Sequence, residues 1–328
     1  MAGRTLDPAQ GNVVKDPAKF VADSLSAIRA EVPGKAIVAA SGGIDSTAAA
    51  VLAHRALGDR VRSLFVDTGL LRANEIELVR GFFAASDLPV EVLPASERFL
   101  TALEGISDPE EKRRRIGTAF IRLFEEEADR FGADRLVQGT IAPDWIESGG
   151  SIRDTIKTHH NVGGIPKDSR LTLVEPLRDL YKDEVRVLAA HLGIPKPERQ
   201  PFPGPGLAVR VAGPISRPRV AIARAANAIV EEEVDAAIAA GTLARPWQYF
   251  AVLLPVKTVG VMGDNRVHGE AVSVRIVQSN DAMTATAVDL PVEIRRRIAE
   301  RITRTLSGSV TRVLYDITDK PPATIEWE

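Results

Sequence analysis

The chain has 328 residues, 45% hydrophobic and 26% charged, with a formal net charge of −2 and no cysteine. That length accommodates two domains, and the missing cysteine excludes disulfides, thiolate metal sites and a cysteine nucleophile. The balanced charge gives no field favouring nucleic acid, no apolar run nears the ~20 residues of a membrane span, and the start lacks a signal-peptide pattern, so a cytoplasmic enzyme is expected.

Residues 1–16 read as a polar arm, and Phe20, Leu25 and Ile28 predict a helix from Pro17. Ala36–Ala40 reads as a buried strand, Thr47–Ala56 as a helix, Val61–Val66 as a second strand ending in Asp67-Thr68-Gly69, and Asn74–Ala84 as an amphipathic helix. Val90–Leu93 gives a third strand, Pro109–Phe131 a long helix and Arg135–Gln138 a fourth strand. Such alternation predicts an α/β fold with a doubly wound parallel sheet, whose ligands bind at the carboxyl ends of strands. The span 142–169 breaks the rhythm and reads as a lid. Leu171–Val174 and Lys182–Leu192 resume as strand and helix, and Arg199–Gly206 is a proline–glycine hinge that divides the chain near residues 202 and 203. Beyond it a smaller α+β domain is expected: strand Leu207–Val211, helix Arg219–Ala239, strands Tyr249–Leu254 and Ala271–Val277, helix Pro291–Leu306 and strand Val310–Ile317.

The most informative stretch is Ser41-Gly42-Gly43-Ile44-Asp45-Ser46-Thr47, set between the first strand and its helix. Adjacent glycines let the backbone turn tightly and point N–H groups at an anion, and three hydroxyls add donors. The Walker ending and the spaced dinucleotide glycines are both absent. Asp45 beside bound phosphates calls for a cation between them, which implies Mg²⁺. A plain capped turn would explain one hydroxyl, not the whole set.

Other motifs carry two readings each. Glu110–Arg115 is a solvated charge run or supplies a phosphate-gripping cation. His159-His160 has no third ligand spaced for a metal, so phosphate contact from the lid, with Lys157, is the better reading. Asp144 and Glu147 are a helix start or partners behind a magnesium ion. Pro203-Gly204-Pro205-Gly206 is a stiff linker or lines a pocket. In the tail, Lys320–Glu328, apolar packing competes with docking in which Lys320 holds an anion and Glu326 meets a donor-rich base.

The S-G-G-x-D-S loop resembles that of the N-type ATP pyrophosphatases, in which it grips the β,γ-pyrophosphate of ATP while a carbonyl oxygen is adenylated. Within that group the chain is similar to the GMP synthetases. The likeness runs through Asp108–Arg113, Gln138-Gly139-Thr140 with Pro143–Ser148, Lys157–Gly164, Pro201–Leu207, Val259–Asp264 and Val313–Ile317 into the tail. It implies the adenine nucleotide alpha hydrolase-like kind of sheet over 1–202 and a dimerisation and XMP-binding domain over 203–328. It implies that ATP adenylates XMP and that ammonia then displaces AMP to give GMP. Ser41, Gly42, Gly43, Ile44, Asp45, Ser46 and Thr47 would hold pyrophosphate with Mg²⁺, and Asp45, Lys157, His159 and His160 would serve catalysis. Arg113, Gly204, Pro205, Gly206, Gln248, Lys320, Ile325 and Glu326 would surround XMP, with Asp144 and Glu147 near the metal. Many relatives carry a glutaminase domain with a cysteine nucleophile. Its absence implies that a separate glutamine amidotransferase subunit supplies the ammonia, and a homodimer is expected through the second domain. Rival readings are an ammonia-dependent NAD synthetase, which the hinge and tail disfavour, and a non-catalytic nucleotide-binding module, which the intact Asp45 disfavours.

Overall fold

A computed structural model of the chain describes residues 16–147, 169–195, 200–280 and 282–328, with the backbone alone for 145–147. The expected arm and most of the expected lid, including Lys157, His159 and His160, lie outside the described residues.

Five strands, β1 (Ala36–Ala39), β2 (Val61–Asp67), β3 (Val90–Pro94), β4 (Arg135–Val137) and β5 (Thr172–Val174), form one sheet in the order β3-β2-β1-β4-β5. Every pairing is parallel. Alternate side chains leave opposite faces. Ile37, Leu64 and Leu136 therefore enter one apolar cluster, while Ala36, Val38 and Phe65 enter the other. Helices α1 (Pro17–Glu31), α2 (Ile44–Leu57), α3 (Glu75–Ala85) and α7 (Lys182–His191) supply the second cluster. Helices α4 (Ser96–Leu103) and α5 (Pro109–Phe131) supply the first, so helices cover both faces of the sheet.

The long helix α5 is fully specified at its ends. Asp108 accepts from the Glu111 amide at 2.8 Å, Pro109 opens the first turn, and Gly132, with φ of 74°, closes it. The chain runs β1, β2, β3 in one direction and β4, β5 in the other, so the order reverses between β1 and β4. In open α/β sheets that reversal opens a crevice at the strands' carboxyl ends.

The remaining strands make a second sheet. β6 (Gln248–Met262) and β7 (Asn265–Gln278) form a long antiparallel hairpin, with β8 (Thr286–Ala287) antiparallel and β9 (Val310–Asp316) parallel to β7. Helices α8 (Arg217–Ala239) and α9 (Val292–Thr305) pack against this sheet, and their apolar residues join the same cluster as α4 and α5. One core thus runs from the first sheet into the second.

Three sequence expectations are corrected. Leu207–Val211 is not a strand: Gly206–Arg210 forms a 3-10 helix. An apolar run of this length fits a buried strand or a buried helical turn equally well, and this one is enclosed on all sides. The strands near 249–254 and 271–277 extend much further, because their outer halves project beyond the core with mostly exposed side chains and lose the apolar signature. Helix α6 (Ala142–Glu147) opens the span read as irregular.

Candidate active site

The phosphate loop lies where the topology places it, between the end of β1 and the start of α2. Gly42 adopts a φ of 75°, which a side chain would resist. The Ser41 amide donates to Ser46 Oγ at 3.1 Å, the two hydroxyl oxygens lie 2.9 Å apart, and Ser46 Oγ also reaches the Gly43 carbonyl at 3.1 Å. The Thr47 hydroxyl donates to the same carbonyl at 2.8 Å and is fully buried, so it braces the turn from behind. Ser41 and Ser46 are therefore the hydroxyls set across the mouth of the loop.

The turn after β4 seals the other side. A Cβ on Gly139 would stand 2.6 Å from the Ser46 N and Cα atoms, so glycine is required for the two backbones to approach. Two acceptor oxygens there are buried without a donor: Asp45 Oδ1 and Gln138 Oε1. A buried acceptor left unpaired is costly and calls for a ligand or cation. The other Asp45 oxygen accepts from Lys182 Nζ at 2.5 Å, so a cation already sits on the carboxylate. Nothing in the sequence hinted at Lys182, since a lysine at a helix start looks like surface charge. Asp144 Oδ2 accepts from the Ile141 amide at 2.9 Å, as in a helix start, and the Glu147 side chain lies outside the described residues. Among the described residues no three His, Asp or Glu side chains are grouped to hold a metal. That suits Mg²⁺ at such a site, since it takes one or two carboxylates and completes its shell with phosphates and water.

The second group of candidate residues is gathered by the hinge. Gly206, at φ 64°, brings its Cα face to the carbonyl of Leu70, where a Cβ would come within 2.5 Å, and the Leu207 amide donates to that carbonyl at 2.7 Å. Arg224 on α8 secures the same loop through the Leu71 carbonyl at 2.9 Å. The hinge thus docks on the segment that follows β2. Gly204 and Pro205 form the turn just before this contact. Around it Gln248, at the start of β6, donates to the Pro201 carbonyl at 3.2 Å and to Glu326 Oε1 at 3.0 Å. Arg210 grips both Glu326 oxygens, at 2.9 and 3.2 Å. Nearby Glu231, between Arg72 and Gln200, has its pKa pushed up, chiefly by burial.

The charge run on α5 separates into two roles. Glu111 pairs with Arg114 and Arg115, whose hydrogen bonds hold its carboxyl down to about 2. Arg113 pairs with Glu110 at 3.0 Å. Lys112 points inward, fully buried, onto the Val211 carbonyl at 2.8 Å and the carboxylate of Glu328. In the tail Ile325 is buried against Phe250, Val252 and Val277. Lys320 Nζ donates to the Ala282 carbonyl at 2.8 Å, and its backbone pairs with Ala285. The structure thus joins Gln248, Glu326 and the hinge directly, and brings α5 to the same tail through Lys112.

Residues 235–327 match the family described as GMP synthase C terminal domain. The chain is 57% identical over 313 residues to a separate subunit of the glutamine-hydrolyzing GMP synthase of Thermococcus kodakarensis, covering 94% of this chain and 99% of that protein. It is 52% identical over 316 residues to the glutamine-hydrolyzing GMP synthase of Aeropyrum pernix, covering 95% of this chain and 61% of that protein. The ammonia-dependent NAD synthetase of Campylobacter jejuni aligns with 55% of this chain and 74% of its own at 18% identity and a TM-score of 0.41. With a phosphate loop at the sheet's crevice, and near-complete coverage at this identity, the chain belongs to the GMP synthase family, as its synthetase subunit without a glutaminase domain.

Proposed function

We propose that the chain converts XMP, ATP and ammonia to GMP, AMP and pyrophosphate through an adenyl-XMP intermediate, with ammonia supplied by a separate glutaminase subunit. The observation that carries this reading is the pair of unpartnered buried oxygens, Asp45 Oδ1 and Gln138 Oε1, beside a loop whose backbone and hydroxyls face the crevice.

The β,γ-pyrophosphate of ATP lies in the Ser41–Thr47 turn, against backbone N–H groups at the start of α2. Mg²⁺, bound through Asp45, would neutralise charge on the leaving pyrophosphate. Lys182, already on Asp45, supplies a second positive charge there as the P–O bond breaks. Arg113, the Gly204–Gly206 hinge, Gln248, Lys320, Ile325 and Glu326 surround XMP, which presents its C2 oxygen to the α-phosphorus. Lys157, His159 and His160 are assigned by resemblance to the charge that develops in this step. No protein nucleophile is required, because the substrate oxygen attacks first and ammonia attacks second.

Residues 1–202 form the pyrophosphatase unit in this reading, and 203–328 complete the XMP site and form a homodimer. The exposed apolar side chains of the second sheet, among them Val259, Val261 at 81% exposure, Met262 and Ile317, support that association. No described helix is long and apolar enough to cross a membrane.

The test is pyrophosphate release and GMP formation by the purified chain. Activity is expected with ATP, XMP and ammonium, and none with glutamine in place of ammonium, since the sequence holds no cysteine to open the amide. Glutamine-dependent GMP formation by the chain alone would refute the two-subunit reading. Failure of XMP to stimulate pyrophosphate release would refute the substrate.

A further inference from the structure

The segment after β9 is held by three fully buried cations, Lys112 on α5, Arg210 on the 3-10 helix and Arg275 on β7. Burying a charge is costly unless it is paired and hydrogen-bonded, so the partners of each cation reveal its task. Arg275 donates to the carbonyls of Ile325, Thr318 and Thr324 at 3.0, 2.7 and 2.9 Å, which fixes the course of the backbone. Lys112 fastens Glu328.

Arg210 does something different, because its fork meets a single carboxylate. Nη2 and Nε donate to Glu326 Oε1 and Oε2, and Nη1 donates to Asn227 Oδ1 at 3.0 Å. Asn227 cannot turn away. Its amide nitrogen is spent on the carbonyls of Ala223 and Ala251, at 2.9 and 3.0 Å, and its oxygen also accepts from the Ala251 amide at 3.3 Å. The guanidinium plane is further enclosed by Phe250 and Phe202, with ring centroids 4.2 and 5.2 Å away. Rigid backbone therefore orients Asn227, Asn227 orients Arg210, and Arg210 orients Glu326.

The acceptor count on Glu326 then becomes asymmetric. Oε1 takes two donors, Arg210 Nη2 and Gln248 Nε2, whereas Oε2 takes only Arg210 Nε. Each carboxylate oxygen has room for about two donors, so Oε2 keeps one open place. The side chain remains 19% exposed, so this place is reachable. We propose that Arg210 is a positioning residue for XMP: it sets the Glu326 carboxylate so that Oε2 offers its open acceptor to a ring N–H of the xanthine base. The proposal rests on the reading that Glu326 faces that base. A planar fork is needed for it, because a lysine keeps the charge but cannot bind both oxygens in one plane.

The experiment is steady-state kinetics on Arg210→Lys, Glu326→Ala and the double variant, with thermal melting alongside. Arg210→Lys should raise the KM for XMP about tenfold or more, with the KM for ATP and kcat at saturating XMP within about threefold. Because Arg210 acts through Glu326, it should add little once Glu326→Ala is present. Equal rises in both KM values, or additive effects in the double variant, would overturn the proposal and make Arg210 a packing residue. If Glu326→Ala raises the XMP KM and Arg210→Lys does not, positioning fails and the site reading stands. If Glu326→Ala leaves the XMP KM unchanged, the site reading falls and the proposal with it. Should Arg210→Lys not fold, calorimetric titration of XMP into Glu326→Asp replaces it. That variant keeps Arg210 and withdraws the carboxylate by one methylene. It should lose as much affinity as Glu326→Ala, and wild-type affinity would overturn the proposal.

Discussion

Lys182 Nζ, at the first residue of α7, lies 2.5 Å from Asp45 Oδ2, at the second residue of α2. The pair joins two helices on the same face of the sheet, with the carboxylate's other oxygen left unpartnered. Lys182→Ala should reduce pyrophosphate release about 10²-fold, the scale for removing one charge-stabilising donor, while XMP binding measured by titration stays within about twofold. Asp45→Ala should abolish release with the same sparing of XMP. Loss of XMP affinity in either variant would show that the two substrates are not handled by separate groups.

Gly139→Ala places a methyl group against backbone rather than against a flexible side chain. It should destabilise the fold by about 1–3 kcal/mol and widen the loop, so that the KM for ATP rises. Gly81 on α3, where a Cβ would meet nothing within 4 Å, is the control: Gly81→Ala should raise the melting temperature, since alanine gains about 0.5–1 kcal/mol over glycine inside a helix. Equal behaviour of the two variants would show that the close approach at Gly139 has no consequence.

His54 on α2 is half-buried, with Nε2 3.1 Å from Ser63 Oγ, and burial lowers its pKa. Its folded pKa therefore lies below the unfolded value of 6.5, and the unfolded chain binds more protons between the two. The stability held by neutral His54 is fully present above pH 6.5 and lost as pH falls through the folded value. Melting curves of wild type and His54→Gln should run parallel above neutrality and diverge below it, with the wild type falling more steeply. Parallel curves down to pH 5 would exclude His54 from the acid response.

Lys112→Met should be strongly destabilising, about 3–5 kcal/mol, because it leaves the Glu328 carboxylate buried without its counter-charge. The pair Lys112→Met with Glu328→Gln should recover much of that loss, since the isolated charge is then gone. Denaturant unfolding of the three variants measures this, and no recovery in the double variant would mean that Lys112 acts through the Ala208 and Val211 carbonyls alone.

Where local chemistry and tertiary packing agree, the sequence was readable. Helix α5 was delimited to the residue by Asp108, Pro109 and Gly132, and the phosphate loop by its glycine pair and Asp45. The parallel sheet followed from strands and helices alternating at short spacing. Helix α4 was not seen, because only eight residues offer too little periodicity. The outer hairpin was shortened because its exposed half carries no burial pattern. Lys112, Lys182 and Arg210 escaped notice as site builders for one reason. A cation's role depends on the carboxylate it meets across the fold, and Glu328, Asp45 and Glu326 lie 216, 137 and 116 positions away in the chain.

The core that joins the two sheets bears on how such chains can be recombined. Phe99 and Ile116 belong to the same apolar cluster as Leu207, Val220, Tyr249 and Ile276. A chimera that takes residues before the hinge from one relative and those after it from another would inherit a seam through buried side chains, where mismatched volumes cost as much as in any interior. Exchanges at the exposed outer half of the hairpin meet no such constraint. The two halves must therefore be altered together, while the hairpin tip can vary on its own.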